Sequence, residues 1–163
     1  FDFIERNTTV LMGFGGNDSS FDWKTMFFDP DTEKTPNVAP DQFVSVYTDT
    51  IKKIQSTGAT VIISNLPPID AERYFEWIAT QGPSQIILEW LGGIGMLYRW
   101  HEMYNRLVEQ IARRNGCLLL DIRTPVLVSH NFKELIGRDG MHPTEEGYDL
   151  IDKVIAANIV TAI

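Results

Sequence analysis

A short segment near the C-terminus carries the residue types of an acid–base pair. The segment 138–144 reads Arg-Asp-Gly-Met-His-Pro-Thr, so that Asp139 and His142 are three positions apart. Gly140 and Pro143 favour a tight turn, which brings the carboxylate within reach of the imidazole Nδ1–H. An imidazole held in this way keeps Nε2 free to act as a base toward a hydroxyl nucleophile. The same residues also fit the capped start of a helix with an exposed histidine, and the segment alone does not decide between the two interpretations.

A glycine-rich segment closer to the N-terminus is a second place where chemistry is possible. Residues 13–18 read Gly-Phe-Gly-Gly-Asn-Asp and follow a short apolar run. Glycines let the backbone approach a ligand closely, and the side-chain amide of Asn17 is able to donate to a developing oxyanion. A plain turn between a strand and a helix has the same composition. Two nucleotide-binding interpretations fail, because Asp18 occupies the place of the last glycine in G-x-G-x-x-G and no Gly-Lys-Ser/Thr follows.

An alternation of buried strands and amphipathic helices surrounds both segments. Short, nearly continuous apolar runs predict strands that are covered on both faces, over 9–14, 60–64 and 117–121. Apolar spacings of three and four predict helices over 41–55, over 97–114 and from about Thr144 to the end of the chain. In the last helix, Tyr148, Ile151, Ile155 and Ile159 fall on the predicted inward face. Strands and helices that alternate in this way predict an α/β fold with a parallel sheet and right-handed crossovers.

Taken together and in this order, the two segments resemble the SGNH hydrolase family, also called GDSL-like lipases and acylhydrolases. The family's G-x-N-D block matches residues 15–18, and its D-x-x-H block matches residues 139–142. The Ser-Asn-Leu-Pro-Pro segment at 64–68 agrees with the family's exit from a later strand. The resemblance covers essentially the whole chain, 1–163, as the C-terminal portion of a single domain. It implies a three-layer α/β/α, flavodoxin-like parallel sheet (the SGNH hydrolase fold), here lacking its first strands.

The resemblance also implies a role for each matching residue. His142 would be the general base that deprotonates a serine and then the acid that protonates the leaving alcohol. Asp139 would orient His142 and stabilise its imidazolium, and Asn17 would donate to the oxyanion hole. The implied activity is that of a serine ester hydrolase, a carboxylic-ester hydrolase that acts on small acyl or acetyl esters through an acyl-enzyme. An acyltransferase of the same family and a non-catalytic binding module derived from it remain as alternatives.

One part of the family pattern does not occur among these residues. The family's nucleophilic serine belongs to a Gly-Asp-Ser triplet ahead of the G-x-N-D block, and the 163 residues contain no such triplet. The glycine of the family's second block is not identifiable either. Ser19 and Ser20 directly follow the G-x-N-D block and Ser84 lacks the context, so none of them takes the serine's place. Together with the thin sheet and a first residue, Phe1, that is not Met, this predicts that the serine and the first strands lie upstream of residue 1.

Composition limits the remaining classes of function. The chain carries 22 acidic and 14 basic side chains, and its formal net charge of −8 argues against nucleic acid or an anionic membrane as the main partner. No apolar run reaches the roughly 18–20 residues of a membrane span. We therefore expect a small ester, an acylated sugar or a lipid as the substrate, with no nucleic-acid partner, no transmembrane segment, no cofactor and no metal. The compartment, cytoplasmic or secreted, and the oligomeric state stay open.

Other residues that are capable of chemistry have plainer interpretations. Three scattered histidines and one cysteine show no metal-ligand spacing. We expect His101 on the polar face of a helix, His130 in a loop and Cys117 as a small core residue. Aromatic side chains crowd two long excursions, 19–39 and 66–96, where they either line an acyl or sugar pocket or pack a helical hairpin onto the domain. These aromatic residues are Phe21, Trp23, Phe27, Phe28, Tyr74, Phe75, Trp77 and Trp90.

Overall fold

The computed structural model describes residues 4, 6–29, 31 and 35–159, and these residues form a parallel sheet with helices between its strands. The strands are β1 (Thr9–Met12), β2 (Thr60–Ser64) and β3 (Leu118–Leu120). They are all parallel and lie side by side in the order β1-β2-β3, with Thr9 opposite Thr60 and Ile62 opposite Leu118. Each strand lies within the range that the sequence predicts, and the α/β class with a parallel sheet is confirmed.

The helices follow the strands in the order expected for such a fold. In chain order they are α1 (Gly16–Ser19), α2 (Trp23–Phe28), α3 (Pro40–Gln55), α4 (Ala71–Ala79), α5 (Ser84–Leu91), α6 (Gly95–Arg114), α7 (Arg123–Leu127), α8 (Phe132–Leu135) and α9 (Glu145–Ile159). The three predicted long helices correspond to α3, α6 and α9. The last four residues of the chain, to which the prediction for α9 extended, lie outside the described residues, and so does the side chain of Ile159. Within the described part of the chain, no helix combines the length and the apolar character that a membrane span requires.

Local chemistry accounts for where the long helices begin. Pro40 is the first residue of α3, where a missing N–H costs no helical hydrogen bond. Ahead of α9, the Oγ1 of Thr144 accepts a hydrogen bond from the backbone N–H of Gly147 at 3.2 Å and donates one to the carbonyl of Glu134 at 2.8 Å. Thr144 therefore caps α9, as predicted, and ties the helix to α8.

Helices cover the sheet on both faces. Successive residues of β2 point to opposite faces and therefore pack against different helices. Val61 and Ile63 pack into an apolar cluster with α3 and α6, which contains Tyr47, Ile51, Tyr104, Val108 and Ile111. Ile62 faces the other way and packs with residues of α7, α8 and α9 that include Val126 and Ile151. The near-continuous apolar sequence of β2 thus reflects burial on both faces.

The helices of the two long excursions pack against each other. Helix α2 of the first excursion and helices α4 and α5 of the second share an apolar cluster with the start of α6. The hydroxyl of Tyr74 joins them through hydrogen bonds with Ser20 at 2.9 Å and with the indole N–H of Trp23 at 3.0 Å. This cluster stands beside the carboxyl ends of the strands and forms one wall of the cavity described below.

Candidate active site

The structure places Asp139 and His142 in direct contact. His142 Nδ1 lies 2.6 Å from Asp139 Oδ2. The other carboxylate oxygen, Oδ1, accepts hydrogen bonds from the backbone N–H groups of Met141 at 3.0 Å and His142 at 3.1 Å. The carboxylate therefore orders the turn through one oxygen and orients the imidazole through the other, which is the arrangement that the spacing predicts.

The electrostatics of this pair favour a charged carboxylate. Burial is the largest influence on Asp139 and opposes its ionisation. The hydrogen bonds from the His142 side chain and from the backbone N–H groups of Met141 and His142 together outweigh burial, so that the pKa of Asp139 lies below its ordinary value. An ionised Asp139 stabilises positive charge on His142. The His142 side chain is 67% exposed, and its Nε2 has no hydrogen-bond partner among the described residues.

A glycine backbone fixes the position of this turn. Gly140 has a positive φ of 73°, its N–H donates to the carbonyl of Gly137 at 3.0 Å, and its own carbonyl accepts from the N–H of Asp70 at 2.9 Å. A Cβ on Gly140 would overlap the backbone nitrogen of Tyr74 and lie 2.5 Å from the carbonyl oxygen of Asp70. Only glycine allows the turn to sit this close to the start of α4.

Asn17 lies on α1, which follows the glycine-rich segment after β1. Its backbone carbonyl accepts a hydrogen bond from the side chain of Asn37 at 2.9 Å, which anchors the segment to the chain ahead of α3. The Asn17 side chain is exposed, and its amide has no hydrogen-bond partner in the part of the chain that the structure describes. The amide N–H is therefore available to a ligand.

Asn17 and His142 line the same cavity, which has a volume of about 620 Å³. The cavity lies at the carboxyl ends of all three strands, since Gly13 follows β1, Ser64 ends β2 and Ile122 follows β3. This is the edge at which open parallel sheets bind ligands. Asp139 does not line this cavity but borders a second one of about 510 Å³ on the other side of His142, together with Trp77 and Arg138. Asn17 and His142 thus share one cavity, and Asp139 contacts His142 from the second one.

Some aromatic residues of the excursions line a cavity and others pack the excursions together, which are the two alternatives that the sequence left open. Those that line the first cavity are Phe21, Trp23, Tyr74 and Trp90. Phe21 is their centre, with ring centroids 5.0 Å from Trp90 and 5.4 Å from Trp100 on α6. Phe27 packs inside the cluster instead, and Phe28 is 87% exposed. Packing of the excursions and lining of the cavity are therefore two results of one cluster.

His101 corrects a prediction, because it does not lie on a solvated helix face. It is 8% exposed, lines the first cavity, and has no hydrogen-bond partner for its buried Nδ1 among the described residues. Burial and then the nearby charge of Arg123 lower the pKa of His101 to about 3. The sequence spacing indicates this burial, because Leu97, His101, Tyr104 and Val108 follow one another by four, three and four. All four residues are buried on one face of α6.

Three further residues for which the sequence made predictions lie on α9, in a turn and against the core. Tyr148, expected to face inward, is 51% exposed and lines the first cavity, because α9 begins at the cavity rim; Ile151, one turn later, is buried. His130 lies in a turn and is exposed, as expected for a loop residue. Cys117 is half-buried against the core, and burial raises its pKa. No cluster of three or more His, Cys, Asp or Glu residues suited to a metal ion occurs among the residues described.

Comparisons with known proteins agree with this fold. A family model described as the GDSL-like Lipase/Acylhydrolase family matches residues 4–150. A lipase/acylhydrolase from Enterococcus faecalis is 19% identical, with a TM-score of 0.64 over 93% of this chain and 60% of that chain. A GDSL-like lipase from Bacteroides thetaiotaomicron is 19% identical, with a TM-score of 0.63 over 96% of this chain and 63% of that chain. An acetylxylan esterase from Geobacillus stearothermophilus is 17% identical, with a TM-score of 0.61 over 91% of this chain and 57% of that chain.

The chain thus spans less than two thirds of the length of these solved structures. No curated protein is detectably similar to it.

The close approach at Gly140 generates a stability prediction with a matched control. Gly140→Ala and Gly92→Ala both place a Cβ at a left-handed φ, 73° and 67°, which costs about 1–2 kcal/mol. Only at Gly140 does the Cβ also meet backbone, whereas at Gly92 nothing lies within 4 Å, so Gly140→Ala should lose about 1–3 kcal/mol more. Urea denaturation measures both free energies of unfolding. Equal losses in the two variants would contradict the close approach.

The burial of His101 predicts a pH dependence of stability. Its folded pKa of about 3 lies below the ordinary value of 6.5, so between these values the unfolded chain binds a proton that the folded chain excludes. The free energy of unfolding should therefore fall as the pH drops through this window, with a slope that approaches about 1.4 kcal/mol per pH unit for this group. His101→Asn should lose less stability than the wild type between pH 7 and pH 5, and His130→Asn should follow the wild type. Parallel curves for wild type and His101→Asn would refute a buried neutral imidazole.

Proposed function

This chain belongs to the GDSL-like lipase/acylhydrolase family, and from that premise we propose that it carries the acid–base part of a serine ester hydrolase site. The observation that supports the proposal most directly is the pair itself: Asp139 holds His142 at 2.6 Å, and His142 lines the same cavity as the free amide of Asn17. An oriented imidazole and an amide donor in one cavity are the base and the oxyanion donor that acyl transfer from an ester requires beside its nucleophile.

The proposed reaction proceeds in two halves. In the first half, His142 Nε2 takes the proton from a serine hydroxyl while the serine oxygen attacks the ester carbonyl, and Asn17 donates a hydrogen bond to the resulting oxyanion. When the tetrahedral intermediate collapses, the C–O bond to the alcohol breaks and His142 returns the proton to that alcohol. In the second half, water takes the alcohol's place, and His142 removes and returns a proton in the same way. Asp139, ionised throughout, stabilises the imidazolium in both halves.

We propose that the nucleophilic serine is supplied from a part of the gene product upstream of residue 1. No Gly-Asp-Ser triplet occurs in the 163 residues, and Nε2 of His142 has no partner among the described ones. Leu11 in β1 and Phe14 just after it are 44% and 55% exposed, an apolar edge that suits another strand beside β1. A parallel strand beside β1 would end at the same edge of the sheet as the cavity.

For the substrate we propose a small acyl or acetyl ester. One of the similar solved structures is described as an acetylxylan esterase, and the aromatic cavity of about 620 Å³ has the size of sites for small ligands. An acyltransferase would use the same first half-reaction, and an alcohol in place of water would complete the second.

The absence of a Gly-Asp-Ser triplet favours a second candidate, a non-catalytic binding module built on this fold.

A labelling experiment separates the two candidates. We expect the coding sequence upstream of Phe1 to contain Gly-Asp-Ser, and the complete gene product to react with a fluorophosphonate at that serine. Intact-mass and peptide analysis would locate the adduct. A complete gene product without a reactive serine and without turnover of 4-nitrophenyl acetate would favour the binding module and end the hydrolase proposal.

Variants of the complete gene product test the assigned roles. His142→Ala should lower kcat/KM for 4-nitrophenyl acetate by about 10³-fold or more, since the base is removed. Asp139→Asn, which keeps the shape but not the charge, should also lose about 10³–10⁴-fold, and Asn17→Ala about 10²-fold in kcat. His130→Ala, at an exposed turn away from both cavities, is the matched control and should keep the wild-type rate. Full activity in His142→Ala would rule out the mechanism.

A further inference from the structure

The side chain of Arg73 on α4 binds the backbone just ahead of the acid–base turn, the segment 137–142 that carries the carboxylate and the imidazole. One guanidinium nitrogen, Nη1, donates to the backbone carbonyl of Ile136 at 2.7 Å and also to that of Lys133 on α8. Nη1 carries two hydrogens, so these two bonds use both of them. A side chain that is only 32% exposed is therefore committed to the chain that leads into the turn.

A single peptide group joins Arg73 to the backbone of His142. The carbonyl of Ile136 and the N–H of Gly137 belong to this one group. Its oxygen accepts from Arg73 at 2.7 Å, and its N–H donates to the backbone carbonyl of His142 at 2.8 Å. A cation at the oxygen polarises the peptide group and makes its N–H a stronger donor. The guanidinium therefore supports the hydrogen bond that holds the backbone of His142.

The second bond of Arg73 replaces a helical partner that the turn takes away. In an α-helix the N–H four residues further on, here that of Gly137, donates to the Lys133 carbonyl. That N–H donates to His142 instead, so the Lys133 carbonyl is one of the acceptors left over at a helix end. Arg73 supplies the missing donor, and without it the carbonyl would depend on water. The same guanidinium thus stabilises the end of α8 and the diversion of the Gly137 N–H toward His142.

Asp70 binds the acid–base turn at a second point and orients the guanidinium. Its N–H donates to the carbonyl of Gly140 at 2.9 Å, and its carboxylate, with a side chain only 5% exposed, lies 3.8 Å from Arg73 Nε. Asp70 and Arg73 are three positions apart, which places them on one side of the first turn of α4. Helix α4 therefore holds one carbonyl within the turn, that of Gly140, and one directly before it, that of Ile136.

A neighbouring link between α4 and α8 has none of these features. Glu72 pairs with Lys133 Nζ at 3.4 Å, and the two side chains are 73% and 66% exposed. Exposed ion pairs of this kind contribute about 0–1 kcal/mol. Among the hydrogen bonds of the described residues, neither charged group reaches the backbone of the acid–base turn. Loss of this pair is therefore a matched control for loss of the Arg73 contacts.

We propose that Arg73 is a positioning residue of the acid–base site, which sets the place of His142 through the peptide group of Ile136 and Gly137. The inference rests on the proposed ester hydrolase function, in which His142 must meet the reacting atoms in one geometry. Arg73 lines neither of the two cavities and takes no part in the bond-breaking steps. Any effect of its replacement on the rate is transmitted through the turn.

Three variants of the complete gene product test the effect on rate. Arg73→Met keeps a long side chain but removes the donors and the charge. We expect it to lower kcat for 4-nitrophenyl acetate by about 10–100-fold while KM changes by less than about twofold, because a displaced base slows the reaction without removing a binding contact. Arg73→Lys keeps a charged donor without the planar fork and should recover part of the rate. Glu72→Gln, which removes only the exposed ion pair, should keep the wild-type kcat.

Amide hydrogen exchange measures the same contact without turnover. In Arg73→Met the N–H of Gly137 should exchange about tenfold faster than in the wild type, because its bond to His142 opens more easily. Glu72→Gln should leave this rate unchanged. Ile51→Val, in the core on the opposite face of the sheet, costs about 0.5–1.5 kcal/mol of stability and should also leave the exchange of Gly137 and kcat unchanged. This variant separates positioning from a general loss of stability.

The two measurements also keep this inference separate from the hydrolase proposal. If the complete gene product hydrolyses no ester but Gly137 exchanges faster in Arg73→Met, the hydrolase proposal fails and the support of His142 by Arg73 is upheld. Unchanged exchange of Gly137 in Arg73→Met would overturn the inference in either case. A wild-type kcat for that variant in an active enzyme would overturn it as well. If Arg73→Met does not fold, Arg73→Lys decides by the same readouts, with smaller effects expected in the same direction.

Discussion

The site depends on one close backbone contact, between the turn at Gly140 and the first residues of α4. The N–H of Asp70 donates to the carbonyl of Gly140 at 2.9 Å, while the Asp70 carboxylate accepts from the N–H groups of Glu72 and Arg73 at 3.1 and 3.2 Å. The residue that caps α4 thus also receives the turn that carries Asp139 and His142. Because α4 belongs to the segment that leaves β2, the contact sets the imidazole relative to the edge of the sheet. A side chain at position 140 would separate the two, and for this reason the spacing of the acid–base pair needs glycine between its members.

The two histidines that line this cavity lie in opposite environments. His142 is largely exposed, and Asp139, whose pKa lies below its ordinary value, holds its Nδ1 at 2.6 Å. His101 is buried next to Arg123 and stays neutral, which suits hydrogen bonding but not acid–base work. Charge and burial, rather than residue type, therefore distinguish the two histidines of this cavity.

How much the sequence predicts depends on the range of the interactions involved. The strands, the long helices and the contact between Asp139 and His142 follow from spacings within one element or one turn, and they are found where the sequence predicts them. The cavity is different, because it is built from pairs such as Ser20 with Tyr74, 54 positions apart, which no local pattern reveals. His101 lies between these cases. Its spacing places it in the apolar stripe of α6, but a histidine is ordinarily assigned to the polar face of a helix, and only the surrounding packing shows that it is buried.

Helix α6 connects the fold to the chemistry of the cavity. Its second half, with Val108 and Ile111, is packed in the core against the sheet, whereas Leu97 near its start belongs to the cluster formed by the two excursions. Trp100 and His101 lie between these halves, on a helix whose position the sheet core determines. Side chains on such an element are held more rigidly than side chains on a loop, so this part of the cavity wall has a fixed shape. The excursions supply most of the aromatic surface of the cavity, and α6 joins that surface to the core of the sheet.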